Sequence, residues 1–292
     1  MNRSRRVLLK RAGLLLAGAG LARCGAYTML PGGGVEAVPD VDAGVTDTDA
    51  GLLSWAIGGT AAMLAKTSYP DPFTAQSTAC AATCEMTLGP CYAASPERED
   101  ISEAYPGIPL RFALRLLDTD CNPLTNTRVD IWHCATTGLY SGDDASDFCT
   151  SGDADARAHR FFRGTQSTDA EGKVYFDTCF PGWYSGRSVH VHYRVVIGTD
   201  EYLVSQLFFP EDVVADIFAT VEGYASRGQP DTTFATDNVL GGVDGSPWVM
   251  EVQRMTDGAM LASKTVFVRR ALTDAVCSVG QGGGMGPPPG IP

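Results

Sequence analysis

Positive charge is scarce in this sequence outside its first two dozen residues. Arg3, Arg5, Arg6, Lys10, Arg11 and Arg23 all fall within residues 1–23, which carry no acid. Removing those six from the 22 Lys and Arg leaves 16 against 34 Asp and Glu, so the net charge moves from −12 to −18. A body that acidic repels phosphate backbones and anionic lipid, which excludes nucleic acid as a partner. The apolar run Ala12–Ala22 is too short to cross a bilayer, so no transmembrane span is expected in the mature chain. No internal repeat is present, which removes solenoids and propellers. A Cys-x-x-Cys pair is also missing, and no histidine neighbours Cys80, Cys84 or Cys91, which argues against zinc at that cluster.

The basic stretch followed by a short apolar run has the layout of an export signal, assigned to residues 1–26. Ser4-Arg5-Arg6-Val7-Leu8-Leu9-Lys10 resembles the twin-arginine motif, which implies transport of a folded protein to the periplasm or the exterior. Leu21-Ala22-Arg23-Cys24 resembles a lipoprotein box and makes Cys24 the candidate lipid anchor, although Arg23 stands where a small residue is usual. Cleavage after Ala26 is the alternative. Setting Cys24 aside leaves eight cysteines, enough for up to four disulfides in an oxidising compartment, with connectivity open.

Residues 27–66 read as a flexible acidic linker, in which Leu52 to Lys66 has the makings of one short helix weakened by Gly58-Gly59. Residues 67–279 carry the folded domain. Ile108 to Leu117 alternates apolar and other residues, the period of a half-buried strand. Further strands are expected at Val129–Trp132, Lys173–Cys179, Val189–Ile197 and Tyr202–Phe208. Residues 143–160 read as irregular. Pro210-Glu211-Asp212 opens one helix running to about Gly223, since proline suits a first turn and acids suit the positive end of the dipole. Trp248–Met255 and Lys264–Arg270 form a hairpin across Asp257-Gly258. Residues 280–292, Gly and Pro throughout, read as a disordered tail. Many short strands with little helix predict an all-β protein, a β-sandwich core with a few short helices and long loops.

The chemistry concentrates in Pro181–Arg194. The chain has four histidines, and His190 and His192 stand two apart. On a strand they share a face and can hold a metal. Tyr184 and Arg187 precede them in a turn rich in Gly and Ser.

Four blocks in order carry a resemblance. They are Thr87-x-Gly89-Pro90; Val129-Asp130-Ile131 with Gly138-Leu139-Tyr140; Thr168-Asp169-x-x-Gly172 with Pro181-Gly182-x-Tyr184-x-x-Arg187-x-x-His190-x-His192; and Gln206-Leu207-x-Phe209. Together they resemble the intradiol ring-cleavage dioxygenases, the protocatechuate 3,4-dioxygenase-like branch above all, over about residues 85–270. The family's glycines around the first turn are absent, and Cys121 holds one of those places.

The resemblance implies non-haem Fe³⁺ held by Tyr140, Tyr184, His190 and His192. A hard trivalent cation favours anionic oxygen, and its charge lets a phenol, ordinarily titrating near pH ~10, bind as phenolate. The implied reaction opens a catechol ring with O₂ between its two hydroxyl-bearing carbons, giving a muconate-type diacid. In it Tyr184 leaves the metal and takes a substrate proton, Arg187 stabilises the electron-rich ring by charge, and Gln206 fixes the ring's plane. Leu88, Gly89, Pro90 and Trp183 are candidate pocket residues. Trp132 and His133 read as structural and His159 as solvated. The partners implied are a small catechol and O₂, with a homo-oligomer open. The readings from other classes are an exported, inactive β-sandwich binding module and a copper or zinc protein using only His190-x-His192.

Overall fold

The computed structural model describes residues 54–76 and 79–280. The export signal, Cys24, residues 27–53 of the linker and residues 281–292 of the tail lie outside them. All described residues belong to one unit, Ala50–Pro292.

Among the described residues, eight strands form two four-stranded sheets. The first has the order β4 (Lys173–Cys179), β1 (Pro109–Asp118), β8 (Met260–Val268) and β7 (Glu251–Arg254). The second runs β3 (Arg163–Ser167), β2 (Arg128–Trp132), β5 (His190–Ile197) and β6 (Asp200–Phe208). Every pairing is antiparallel except β1 with β8. This is the expected all-β sandwich. The α-helices among the described residues are α1 (Asp147–Thr150), α2 (Ala154–Ala158) and α3 (Glu211–Thr220).

The alternation in β1 decides which face meets the other sheet. Leu110, Phe112, Leu114 and Leu116 are fully buried in the main core, while Arg111 and Arg115 sit half-buried on the opposite side. Each such leucine or phenylalanine contributes about 1.5–3 kcal/mol. The second sheet answers with Val129 and Ile131 of β2 and Val191, Tyr193 and Val195 of β5. With period two, Trp132, His190 and His192 are thereby turned to the outer face.

Several expected boundaries shift. β3 was not anticipated, because Arg-Gly-Thr-Gln-Ser has no apolar alternation; it lies at the sheet's edge, paired with β2 and bridged to Glu97 at Thr165. Residues 143–160 hold two short helices. The second starts where the Asp153 carboxylate accepts the Ala156 N–H at 2.8 Å, a side-chain N-cap. The helix expected over Leu52–Lys66 is instead two 3₁₀ turns, Gly59–Ala62 and Lys66–Ser68, with Gly58 and Gly59 at positive φ. β8 begins four residues before Lys264, because its parallel pairing with β1 starts at Met260 opposite Leu110.

Three disulfides are present among the described residues: Cys80–Cys121, Cys84–Cys277 and Cys91–Cys149. Cys80, Cys84 and Cys91 thus enter three separate bridges and do not form a metal cluster. Cys134 and Cys179 are free and buried, so these eight cysteines give three bridges, where up to four were allowed. Cys84–Cys277 spans 193 residues. Chain-entropy reasoning puts such a link toward the upper end of the roughly 2–5 kcal/mol range. Alkylation without reduction is expected to label neither Cys134 nor Cys179 in native buffer and both in guanidinium, read by peptide mass mapping; labelling of any of the six bridged cysteines would contradict the pairing.

Candidate active site

The register of the second sheet builds the site's floor. His192 of β5 lies opposite Trp132 of β2 on one side and Gln206 of β6 on the other. The three form a cross-strand row on the outer face. The Trp132 indole stacks on the His192 ring, centroids 4.9 Å apart and planes 10° from parallel. Tyr92 meets Trp132 edge-on, and Arg194 covers Tyr92 at 4.6 Å. Arg194 is held in turn by the fully buried Asp130 at 2.6 Å.

Two loops bring the phenols over this floor. After β2 the chain turns at Ala135–Gly138, where the Gly138 N–H donates to the Ala135 carbonyl at 2.8 Å. Gly138 has φ +86°, and a Cβ there would sit 2.6 Å from the Trp183 carbonyl oxygen, so the turn requires glycine. Tyr140 follows, its N–H donating to the Cys149 carbonyl at 2.9 Å beside the Cys91–Cys149 bridge. The fully buried Arg163 clamps the next residue, donating twice to the Ser141 carbonyl and once to that of Cys91. Tyr184 comes from the turn before β5, closed by the Arg187 N–H on the Tyr184 carbonyl at 3.3 Å.

Four donor atoms converge. His190 Nε2 lies 3.1 Å from His192 Nε2, 3.2 Å from Tyr184 Oη and 3.4 Å from Tyr140 Oη, and the two phenol oxygens are 3.3 Å apart. Atoms bound about 2 Å from one centre stand about 2.8 Å apart at right angles and about 3.3 Å apart at the tetrahedral angle. The observed spacings fit donors around a single cation. His190 Nδ1 donates to the Ser188 carbonyl at 2.6 Å, which leaves Nε2 as a bare lone pair aimed at the other three. Among the described residues no group of three or more His, Cys, Asp or Glu is placed for a metal; the oxygen donors here are phenols.

Burial keeps all four groups neutral in the absence of a cation. It pushes the Tyr140 and Tyr184 phenols up, and it pushes the His190 and His192 imidazoles well down, helped by the nearby Arg187 charge at His190. Neutral imidazoles are ready ligands. The phenols become ligands only when a positive charge enters and displaces their protons.

With that geometry, kinship can be read. The Dioxygenase family model matches residues 89–229, which contain both tyrosines, both histidines and Gln206. An intradiol ring-cleavage dioxygenase from Tetranychus urticae superposes with TM-score 0.59 at 26% identity, covering 68% of this chain and 99% of that one. The matched stretch is thus similar in sequence to the dioxygenases and in fold to an intradiol ring-cleavage enzyme. A second dioxygenase crystal structure gives TM-score 0.58 at 26% identity, over 68% of this chain and 99% of its own. The dioxygenase domain of a dioxygenase and carbohydrate-binding fusion from the cellulolytic bacterium Streptomyces sp. SirexAA-E gives 0.47 at 26%, over 65% and 100%. No curated protein matches the chain.

Around the four donors, Arg187 and Gln206 are buried together. Arg187 Nη2 donates to Gln206 Oε1, and Gln206 Nε2 donates to the Thr87 carbonyl at 3.0 Å. Gly89 closes over His192: a Cβ there would lie 3.3 Å from His192 Cε1, and its φ is +73°. Leu88 packs in the cluster of Tyr140, Trp132 and Cys134. Pro90 is exposed. Trp183 is tied elsewhere, its indole N–H donating to the Gly228 carbonyl at 3.2 Å under the Arg227 guanidinium. His133 is structural: it bonds the Cys134 carbonyl and Thr178 Oγ1, both at 2.8 Å, and stacks on Phe162. His159 is exposed beside Asp155.

Sequence reading passed over three residues. Trp132 was taken as core only, yet it fixes a donor ring. Arg163 lay in a strand that was not anticipated. Asp237, fully buried against Arg187, sits in a loop with no motif to mark it.

Burial pushes the His133 imidazole down to about 4. The unfolded chain takes up a proton near pH ~6.5 that the folded state refuses, so stability falls as pH drops from about 6.5 towards 4, by about 1.4 kcal/mol per pH unit. In the metal-free protein, His133→Gln is expected to make urea-unfolding free energy less steep in pH over that window. An unchanged slope would show that His133 titrates normally.

Proposed function

We propose that the domain holds one ferric non-haem iron on Tyr140, Tyr184, His190 and His192. We propose further that it opens a catechol ring between its hydroxyl-bearing carbons with O₂, giving a muconate-type diacid. The observation that carries this is the convergence of two phenols and two imidazoles at 3.1–3.4 Å on a buried face. Hard phenolate oxygen beside imidazole suits a trivalent cation. Two phenolates offset two of its three charges, and a hydroxide offsets the third. The alternative of a copper or zinc ion on His190 and His192 alone gives the phenols no role.

Bound iron would accept electron density from a catecholate, which makes a ring carbon reactive towards O₂. The protein's own residues do the rest. Tyr184 Oη, on a turn rather than a strand, takes a hydroxyl proton from the incoming catechol as it gives up its place. Tyr140, pinned through Ser141 by Arg163, stays. Arg187 holds a full positive charge in a water-poor setting, where it stabilises the electron-rich ring. Gln206, fixed at both ends by Arg187 and Thr87, sets the plane in which the ring lies. Substitution on the catechol is left open by these residues.

We propose also that the protein is exported through the twin-arginine pathway and works in the periplasm or outside the cell. Three disulfides support an oxidising compartment. No helix among the described residues is long and apolar enough to cross a membrane.

The test is oxygen uptake by the iron-loaded protein with a panel of catechols. One O₂ consumed per catechol and a product heavier by both oxygen atoms support the reading; no uptake and no visible tyrosinate band after iron loading overturn it. Tyr184→Phe is expected to shift that band and to lower kcat about 10²-fold. An unchanged band and rate would remove Tyr184 from the site.

A further inference from the structure

Beyond residue 229, where the family match ends, the segment Thr232–Asn238 lies against the turn that carries Tyr184 and Arg187. Three residues of the segment fasten it. Gly186 N–H donates to Thr232 Oγ1 at 3.0 Å, and Asn238 N–H donates to the Gly186 carbonyl at 3.1 Å. Asp237 makes the third and strongest link. Its Oδ2 accepts Arg187 Nε–H at 3.1 Å and Ser188 N–H at 2.7 Å. Its Oδ1 accepts the N–H groups of Val239 and Leu240 at 2.8 and 3.0 Å, which caps its own turn. Gly186, at φ +82°, has no room for a side chain: a Cβ would meet Asn238 Nδ2 at 2.3 Å.

We propose that Asp237 is a positioning residue for ring cleavage, acting through Arg187. With Nε held by Asp237 and Nη2 held by Gln206, the guanidinium cannot rotate. Nη1 is the one edge without a partner among the described residues, and it is the edge left to face substrate. The same carboxylate oxygen accepts the Ser188 N–H, which ties down the peptide joining Arg187 to Ser188. One carboxylate therefore holds both the charge that meets the ring and the backbone that carries it. Both partners are almost fully buried, at 7% exposure for Arg187 and 1% for Asp237. An ion pair so placed is not screened by water, and removing one member leaves the other uncompensated. The role rests on the ring-cleavage reading above.

Asp237→Asn removes the charge and the shorter of the two bonds to Arg187 Nε–H, which Oδ2 accepts at 3.1 Å and Oδ1 at 3.3 Å. An asparagine with its oxygen at the Oδ1 place keeps the turn, while its NH₂ then faces two donors. In the iron-loaded enzyme kcat is expected to fall about 10²-fold with KM changed less than about threefold, and iron stoichiometry and the visible band are expected to persist. In an Arg187→Leu background the same change is expected to add nothing. In the metal-free protein, ¹⁵N NMR is expected to show the Arg187 Nε–H protected from exchange in the wild type and unprotected in the variant. An unchanged kcat with a still-protected Nε–H, or a full further loss of kcat in the Arg187→Leu background, overturns the proposal. If Asp237→Asn does not fold, Thr232→Val is the test, with a KM-neutral loss of about tenfold expected and no loss overturning it. A wild type that cleaves no catechol defeats the ring-cleavage reading, while the NMR comparison still decides whether Asp237 fixes Arg187.

Discussion

The two-residue period of β5 is the constraint on which the rest depends. Val191, Tyr193 and Val195 fill the interface between the sheets, so His190 and His192 have to face outward. A slip of one residue in this strand would expose three core side chains and bury the imidazoles between the sheets. Site geometry is therefore protected by the same energy that folds the domain. The row Trp132, His192 and Gln206 follows from register alone, since each is the cross-strand neighbour of the next. Both histidines are buried even though they lie on the sheet's outer face, because loops cover it.

Those loops hold in place by distributed polar bonds. Arg163 ties Ser141 to Cys91, a disulfide ties Cys91 to Cys149, and Cys149 accepts the Tyr140 N–H. Tyr140 is thus braced from three directions. Tyr184 stands on a shorter turn fastened by the segment from Thr232 to Asn238. The two phenols differ in how tightly the chain grips them, which suits one that stays and one that yields its place. Arg163 lies over the Tyr140 ring and Arg187 lowers both phenols by its charge, but of the two only Arg187 has a carboxylate partner. Burying charge is costly, and these charges are kept where a reaction would draw on them.

Much of the fold could be read from the strands' own alternation. Ile108–Leu117 came within a residue of β1, and Lys173–Cys179 is β4 as read. The failures have physical causes. β3 carries Arg163 and Gly164 where a strand pattern asks for apolar residues, because there the chain is paying attention to Tyr140's loop and not to the core. The helix foreseen before Lys66 breaks at Gly58-Gly59 into 3₁₀ turns. Disulfide pairing was not legible at all, since Cys84 meets a partner 193 residues away.

By itself the sequence determined the class of fold and the face on which His190 and His192 lie. These depend on the two-residue period, which is local; the tyrosines beside them were pointed to by resemblance to a family. Only the tertiary structure decided that two phenols from separate loops meet those imidazoles at hydrogen-bond distance, that Trp132 stacks on His192, and that Asp237 grips Arg187. Those facts depend on register between strands and on loops closing across 44 to 50 residues of chain, and no local pattern encodes such distances.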